Sequence, residues 1–434
     1  MCAAIAIEEV SVNHREPDGL RGCRVDARGG DDGVPHGVDV LSLEGWVVGA
    51  DTRVVGVEFS QFGNSLGQIP LEARRPDVAV RLPGIPNAEV SGFRALIGAL
   101  TLTKDFKISV KAVLEDDTEV EIATVTGRRS SVRSRFRPSI QPLMITTLGR
   151  SGSTVLVRVL GAHPAIACLD DDSRVANHWI QTLSELADPP RYLRRLLPSS
   201  QPGPNSTGWW VGTRAPIPSS SADREVQDLL YATGAEELAT FVQERIDAVY
   251  RRGADSAGCP DARYYVEKHH PTVVPSIMWE LYPEAKEIIL VRDFRDFFCS
   301  VVAYNSRIGV SGFGAELQPD AEHHIRWLSD AAERLALSWQ ERSAQAHLLR
   351  YEDLVLDPSQ ELERLLKYLE LPASDGVIDA MTGTLFETVA GGEDHRTSPS
   401  ARESIGRWRQ DLSPELRRLA EEEFSTGLSI FGYA

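Results

Sequence analysis

The chain has 434 residues, 42% hydrophobic and 25% charged, which excludes wholesale disorder, a collagen-like repeat and a small disulfide scaffold. At roughly 150 residues per domain, the length suits two or three domains. Lys and Arg total 46 against 63 Asp and Glu, a formal charge of −17; this acid excess disfavours nucleic acid and long polyanionic glycans as partners, but not one basic pocket for one small anion.

The N-terminal MCAAIAIEEV has no basic residue ahead of its short apolar run and reaches acids by Glu8. It does not read as a secretory signal, so a cytoplasmic location is expected. Residues 1 to about 36 are rich in Gly, Asp and Arg without a period, and predict a loose arm with one early strand at most. From Val38 to about Val125, VDVLSLEGWVV, RVVGVEFS, FKISVKAVL and EVEIATV are short β-rich runs separated by turn residues. They predict an antiparallel sandwich with Trp46, Phe59, Phe62 and Phe93 as candidate core. Gly127–Pro138, GRRSSVRSRFRP, is polar and basic and predicts the linker, which sets domain limits of 1–137 and 138–434.

Beyond Leu143 the texture becomes strand–loop–helix. LMITTL, IILV and HLLR predict strands, and VLVRVLGAH, RDFRDFFCSVVAYN and SQELERLLKYLELP predict the helices that follow. Alternation of this kind predicts an α/β domain with a parallel sheet. Asp188–Asp223 is a Pro-, Ser- and Gly-rich insertion, too long for an ordinary connection. Its Trp209 and Trp210 suit either stacking on an acceptor or plugging the insertion onto the core. No run approaches the ~18 consecutive apolar residues of a membrane span, so no membrane partner is expected. Cys2, Cys23, Cys168, Cys259 and Cys299 are odd in number and form no CxxC pair, so reduced thiols and no metal site are expected.

The first chemical signal is Gly149-Arg150-Ser151-Gly152-Ser153-Thr154, directly after a strand and ahead of a helix. Two glycines permit a tight turn, three hydroxyls can help start the helix, and amides at a helix N-terminus favour an anion. Arg150 adds a forked cation. The Walker A pattern is absent, since it needs a longer Gly–Gly gap and a Lys before Ser/Thr; a plain Gly/Ser turn capping a core helix is the competing reading. The second signal is ILVRDFRDFFCSVVAYN, in which Ser300 lies eight residues beyond Arg292, a little over two helical turns. A strand end and a helix face can then present Arg292 and Ser300 to one phosphate. Asp293, Arg295 and Asp296 are expected to pair with one another in a surface ion network.

Together these segments resemble the PAPS-dependent sulfotransferases, whose donor is 3′-phosphoadenosine 5′-phosphosulfate. Arg150–Leu156, RSGSTVL, is similar to the family's loop for the 5′-phosphosulfate, and Arg292 and Ser300 match its 3′-phosphate pair in spacing. LRYEDLVLDP matches a third segment, in which a Tyr, here Tyr351, approaches the adenine. SIGRWRQDLSPE resembles the basic segment of bacterial and Golgi-type members that closes over the nucleotide, with Arg407 as the cation for the 3′-phosphate. The resemblance spans residues 143–434. It implies a sulfotransferase fold, PAPS as donor, no metal, and sulfuryl transfer to a hydroxyl of a glycan or small natural product. Sulfuryl transfer in line is then mostly positioning and charge stabilisation.

Two candidates for the base stay open. The resemblance to the cytosolic branch's Lys-x-His makes His270 the base and Lys268 the group that stabilises developing charge, whereas His269 and His270 can also be read as loop residues before Pro271, beside a Glu267–Lys268 ion pair. The bacterial and Golgi-type members suggest a carboxylate instead, and Asp172 in ACLDDDSRVANHW takes that position, with Asp170 and Asp171 as neighbours and Arg174 to orient it. Trp327 and Trp339 are expected in the core, His323 and His324 on a solvated helix face, and EEEF near the end on an exposed one. RRPDVAVRLPGIPNAEVSGF loosely resembles β-sandwich domains attached to some bacterial glycosyltransferases and sulfotransferases, which implies glycan or partner contact or an accessory structural role. Two other functions remain in view: a P-loop kinase-like enzyme, marked by a Mg²⁺ requirement, and a non-catalytic glycan-binding module. The sequence leaves the oligomeric state open.

Overall fold

The computed structural model describes residues 5–12, 19–28, 40–61, 64–98, 102–131, 134–168, 234–271, 277–309, 312–386 and 397–433. The chain folds into two compact units, one of 1–136, 178–243 and 275–281, the other of 137–177, 244–274 and 282–434.

Among the described residues the first unit holds eight strands: β1 (Ile5–Val12), β2 (Leu20–Arg28), β3 (Val40–Gly49), β4 (Val54–Gln61), β5 (Asn64–Pro70), β6 (Gly92–Gly98), β7 (Asp105–Leu114) and β8 (Glu119–Arg129), with a short helix α1 (Pro76–Arg81) between β5 and β6. They form two antiparallel sheets, in the orders β1-β8-β7-β4-β5 and β2-β3-β6. β7 alternates exposed and buried residues over its first half, as a sheet with one solvated face requires. Leu41, Leu43 and Phe93 from the smaller sheet and Phe59, Ile108, Val110 and Val125 from the larger one fill a single core between them. Trp46 packs instead on a satellite cluster around Val48 and Val78, and Phe62 lies outside the described residues. Two expectations are corrected here. The N-terminal arm contributes two strands, β1 and β2, because pairing with β8 and β3 satisfies backbone that composition alone leaves unassigned. The basic linker starts later than its composition suggests: β8 runs through Arg129, whose buried guanidinium pairs with Glu280.

The second unit is built on a five-stranded sheet that is parallel throughout: β9 (Gln141–Thr147), β10 (Ile166–Ala167), β11 (Tyr264–His269), β12 (Lys286–Val291) and β13 (His347–Arg350), in the order β10-β11-β9-β12-β13. β9 is central and almost continuously buried, the pattern of a strand covered on both faces. In chain order the further helices are α2 (Ser153–Gly161), α3 (Gly234–Ser256), α4 (Met278–Leu281), α5 (Phe294–Ile308), α6 (Ala321–Arg342), α7 (Tyr351–Leu356), α8 (Pro358–Leu369), α9 (Asp375–Phe386), α10 (Trp408–Asp411), α11 (Pro414–Glu423) and α12 (Ser425–Ile430); α3 straddles the two units and α4 groups with the first. Helix starts are chemically marked: Asp293, Asp320, Asp357 and Ser413 each accept a hydrogen bond from an amide in the first turn of α5, α6, α8 and α11. One cluster packs α2, α8 and α9 on Leu143, Ile145, Ile288 and Leu290. The other packs α5, α6, α11 and α12 on Ile289 and Val291. Side chains of alternate residues of β12 thus enter opposite clusters, which makes this a three-layer α/β unit.

The strands β10 and β11 were not legible in the sequence, and His269 is the last residue of β11 rather than part of a loop. The tryptophan and histidine expectations are also revised. Trp327 is 38% exposed, and Trp339 is partly buried against the second cluster. His324 is buried, with its Nε2 2.9 Å from the carbonyl of Phe313, while His323 stays exposed beside Asp320. In EEEF, Glu421 and Glu422 are exposed but Phe424 is buried. Among the described residues no disulfide joins Cys23, Cys168, Cys259 or Cys299, no group of His, Cys, Asp and Glu could hold a metal, and no helix is long and apolar enough to cross a membrane.

Candidate functional site

Four chemistry-bearing segments of the second unit lie at the carboxyl ends of strands of its sheet. The register aligns His269 of β11 with Thr146 of β9, and Thr146 with Ile289 of β12. The phosphate-type loop therefore follows β9, Lys268 and His269 end β11, Arg292 follows β12, and Tyr351 follows β13. Between β11 and β12, on either side of β9, the strand order reverses, and ligands of open parallel sheets bind at such a point.

The loop after β9 is strained where an anion site requires it. Arg150 takes φ +70° and Gly152 φ +92°, so Gly152 is the left-handed cap of α2 and no side-chain hydrogen bond assists it. The hydroxyls of Ser151, Ser153 and Thr154 therefore do not start the helix; the backbone turn does. Ser151 is buried, and Ser153 and Thr154 form the first turn with their amides at the positive end of the helix dipole. Gly152 is also fixed by contact, because a Cβ there would come within 2.6 Å of the Tyr351 ring. Arg150 lies over the ring of Tyr304, 4.3 Å from its centroid. Burial and the nearby Arg292 guanidinium both push Arg150 down from the usual arginine range.

Arg292 is 4% exposed. Its Nη1 donates to the carbonyl of Arg150 at 3.3 Å and its Nη2 to the carbonyl of Ser404 at 2.7 Å. The guanidinium stacks over Tyr351 at 4.9 Å, and its buried Nε has no hydrogen-bond partner among the described residues. A buried guanidinium with an unsatisfied N–H and a half-buried one close enough to repel it fit an anion placed between them. Tyr351, the first residue of α7, thus has its ring against both Gly152 and Arg292, and its hydroxyl is 3.2 Å from Ser404 Oγ.

Ser300, two turns along α5 and buried, has its Oγ 3.2 Å from Thr397 Oγ1. Arg407 donates through Nη1 to the same Thr397, at 2.8 Å to the carbonyl and 3.3 Å to Oγ1, and through Nε to Asp411 at 2.5 Å. Arg292, Ser300, Tyr351 and Arg407, far apart in sequence, meet around the segment 397–408. Asp293 and Arg295 do pair, at 2.8 Å, but both are buried, so the expected surface network is an interior one, capped by Trp408 stacked on Arg295 at 4.0 Å. Asp296 instead accepts two backbone N–H groups, from Gly406 at 2.6 Å and Trp408 at 2.9 Å. Thr397, Ser404 and Asp296 were missed as site residues; the available signal was Asp296 lying four residues before Ser300 on one face of the helix that follows Arg292.

At the end of β11, His269 is buried with its Nε2 3.2 Å from Glu267 Oε2, and Tyr250 donates to Glu267 Oε1 at 2.7 Å. Lys268 and Glu267 are successive strand residues and point to opposite faces. His270, half-buried, follows the strand directly. Asp172, with Asp170, Asp171, Arg174, Trp209 and Trp210, lies outside the described residues.

A parallel α/β unit with a left-handed Gly-Arg-Ser-Gly turn at the carboxyl edge of its sheet and a buried guanidinium beside it offers a place for an anion. The profile of the sulfotransferase family matches residues 142–375, more than half of the chain, and the chain belongs to that family of enzymes. Carbohydrate sulfotransferase 7 of Mus musculus is 29% identical over 167 residues, 35% of this chain and 34% of that protein. Protein-tyrosine sulfotransferase 1 of Danio rerio is 22% identical over 303 residues, 68% of this chain and 72% of that protein. The chain thus spans about a third of the mouse relative's length. Among solved structures, a sulfotransferase domain from the curacin biosynthetic pathway aligns with 68% of this chain and 98% of its own, at 15% identity and a TM-score of 0.39.

Proposed function

We propose that the protein transfers a sulfuryl group from PAPS to a hydroxyl of a glycan or a small molecule, without a metal. Residues 138–434 are the transferring domain in this reading and 1–137 an accessory domain. The observation that carries the reading is the pair of neighbouring guanidinium groups, half-buried Arg150 and buried Arg292, the latter with an unsatisfied Nε, at the carboxyl edge of the sheet. A solved relative of the same fold, mouse sulfotransferase SULT7A1, was crystallised complexed with PAP, adenosine 3′,5′-bisphosphate.

The donor supplies an activated sulfuryl group on its 5′-phosphate. Arg150 and the amides of residues 152–154 hold that end and take up charge on the leaving phosphate. Arg292, Ser300 and Arg407 hold the 3′-phosphate, and Tyr351 lines the space toward the adenine. Lys268 stabilises charge on the transferring group. The acceptor proton goes to His270 or to an acid near Asp172. The names of the two relatives point to carbohydrate and protein-tyrosine hydroxyls as acceptors, and the charge of −17 favours a small or neutral acceptor over a sulfated polymer.

Calorimetric titration with adenosine 3′,5′-bisphosphate tests the site. Binding to wild type is expected, with affinity falling about a hundredfold, or roughly 3 kcal/mol, in Arg292→Ala. A folded wild-type protein that does not bind the nucleotide would overturn the reading.

A further inference from the structure

A carboxylate in the middle of a phosphate site needs an explanation. Asp296 lies in the first turn of α5, four residues before Ser300 on the same helix face and four beyond Arg292, which precedes the helix. It is 1% exposed, and a bare negative charge there would repel the phosphate its neighbours attract. It makes no ion pair among the described residues. Its two oxygens are taken by backbone N–H groups, Gly406 on Oδ2 at 2.6 Å and Trp408 on Oδ1 at 2.9 Å. Arg407 is the residue between those two amides. The carboxylate therefore spans the turn from which the Arg407 side chain departs toward Thr397 and, through Thr397, toward Ser300.

Beyond Asp296 the turn is held by its own short-range backbone bonds, Arg409 N to the carbonyl of Gly406 at 3.2 Å and Gln410 N to that of Arg407 at 2.8 Å. Gly406 sits at φ +72°, a conformation that side chains resist, and α10 is a single turn of four residues whose cap has no side-chain hydrogen bond. Two charge-assisted bonds from one buried acceptor fix both sides of Arg407, stronger than neutral bonds would be. The Trp408 ring is held in turn by Arg295 at 4.0 Å, and the preceding residues are tied down by Arg292 on the carbonyl of Ser404.

We infer that Asp296 is a positioning residue for the nucleotide: it latches the Gly406–Trp408 turn and so delivers Arg407 to the phosphate, without touching the ligand itself. This inference rests on the nucleotide reading above. Burial keeps the carboxyl's proton affinity above the ordinary range and the two amides counter it, which fits an acceptor whose charge is spent on backbone.

The test is a double-mutant cycle on the full chain, read by calorimetric titration with adenosine 3′,5′-bisphosphate. Asp296→Asn keeps the shape but turns one acceptor into a donor facing an N–H. It is expected to lose tenfold or more in affinity, and Arg407→Ala a similar amount. The double variant should be no weaker than the weaker single, because both changes remove the same contact. An Asp296→Asn protein that binds within twofold of wild type, or losses that multiply in the double variant, would overturn the latch. Should Asp296→Asn fail to fold, hydrogen exchange on wild type decides: the Gly406 and Trp408 amides are expected to be protected and to slow further with nucleotide. Exchange at free-chain rates in the bound protein would sink the proposal. Wild type that binds no nucleotide at all overturns the underlying reading instead, so the two failures are distinct.

Discussion

Arg292 and Arg150 show how burial turns ordinary side chains into a site. Each guanidinium is commonplace on a surface, but buried Arg292 and half-buried Arg150 are close enough to raise each other's cost, which a bound anion would relieve. The same economy governs Gly152. Its φ of +92° and the Tyr351 ring within 2.6 Å of any added Cβ leave room for glycine alone. Gly152→Ala is expected to cost about 1–3 kcal/mol in urea unfolding and to lower adenosine 3′,5′-bisphosphate affinity at least tenfold. Unchanged values for both would show that the turn tolerates a side chain. At this scale the loop residues were legible because Gly, Arg and Ser in fixed order carry their chemistry with them. Thr397, Ser404 and Asp296 were not, since a Thr, a Ser or an Asp acquires a role only from what it faces.

Elements were legible in proportion to how well their composition matched their environment. β9, β12 and α8 were evident: the first two carry the short apolar runs LMI and IILV, and α8 begins with Pro358 after its Asp357 cap and buries Leu362, Leu365, Leu366 and Leu369. β11 was hidden because YYVEKH places Glu, Lys and His in a buried strand. Tyr250, seventeen residues earlier, and His269, two residues on along the same strand face, satisfy Glu267 there, and no sequence pattern announces that pairing. β13 offers a test at the same scale. His347 stacks on Tyr368 of α8 with centroids 5.3 Å apart, and its buried Nε2 has no hydrogen-bond partner among the described residues. Burial, helped by the Arg364 charge, holds its pKa down at about 4. The folded pKa lies below the unfolded value, so the unfolded chain binds the proton first, and stability falls as pH drops below about 6.5 toward 4. Between pH 7 and pH 5 wild type is expected to lose on the order of 2 kcal/mol from this residue. His347→Phe, measured by urea unfolding at both values, should lose correspondingly less; an equal loss would assign the acid sensitivity elsewhere.

For the whole molecule, the charge of −17 and the basic interior of the site act at different ranges. Long-range attraction of a polyanion depends on surface charge and is screened over about 8 Å at physiological salt. Buried arginines act on a ligand already in the pocket. The full chain is therefore expected to pass through immobilised heparin at about 0.15 M salt while still binding adenosine 3′,5′-bisphosphate in solution. Firm retention would reveal a basic face and revive a sulfated-polymer acceptor.

The sequence by itself determined the α/β class of the second unit and the β class of the first, because hydrophobic period and local spacing are properties of neighbouring residues. Only the tertiary structure decided that four sequence-distant segments converge on one edge of one sheet. It also decided that Tyr351 bridges Gly152 and Arg292, and that Asp296 serves the backbone of the closing turn. Those relations depend on strand order and on burial, and both arise when the chain folds on itself.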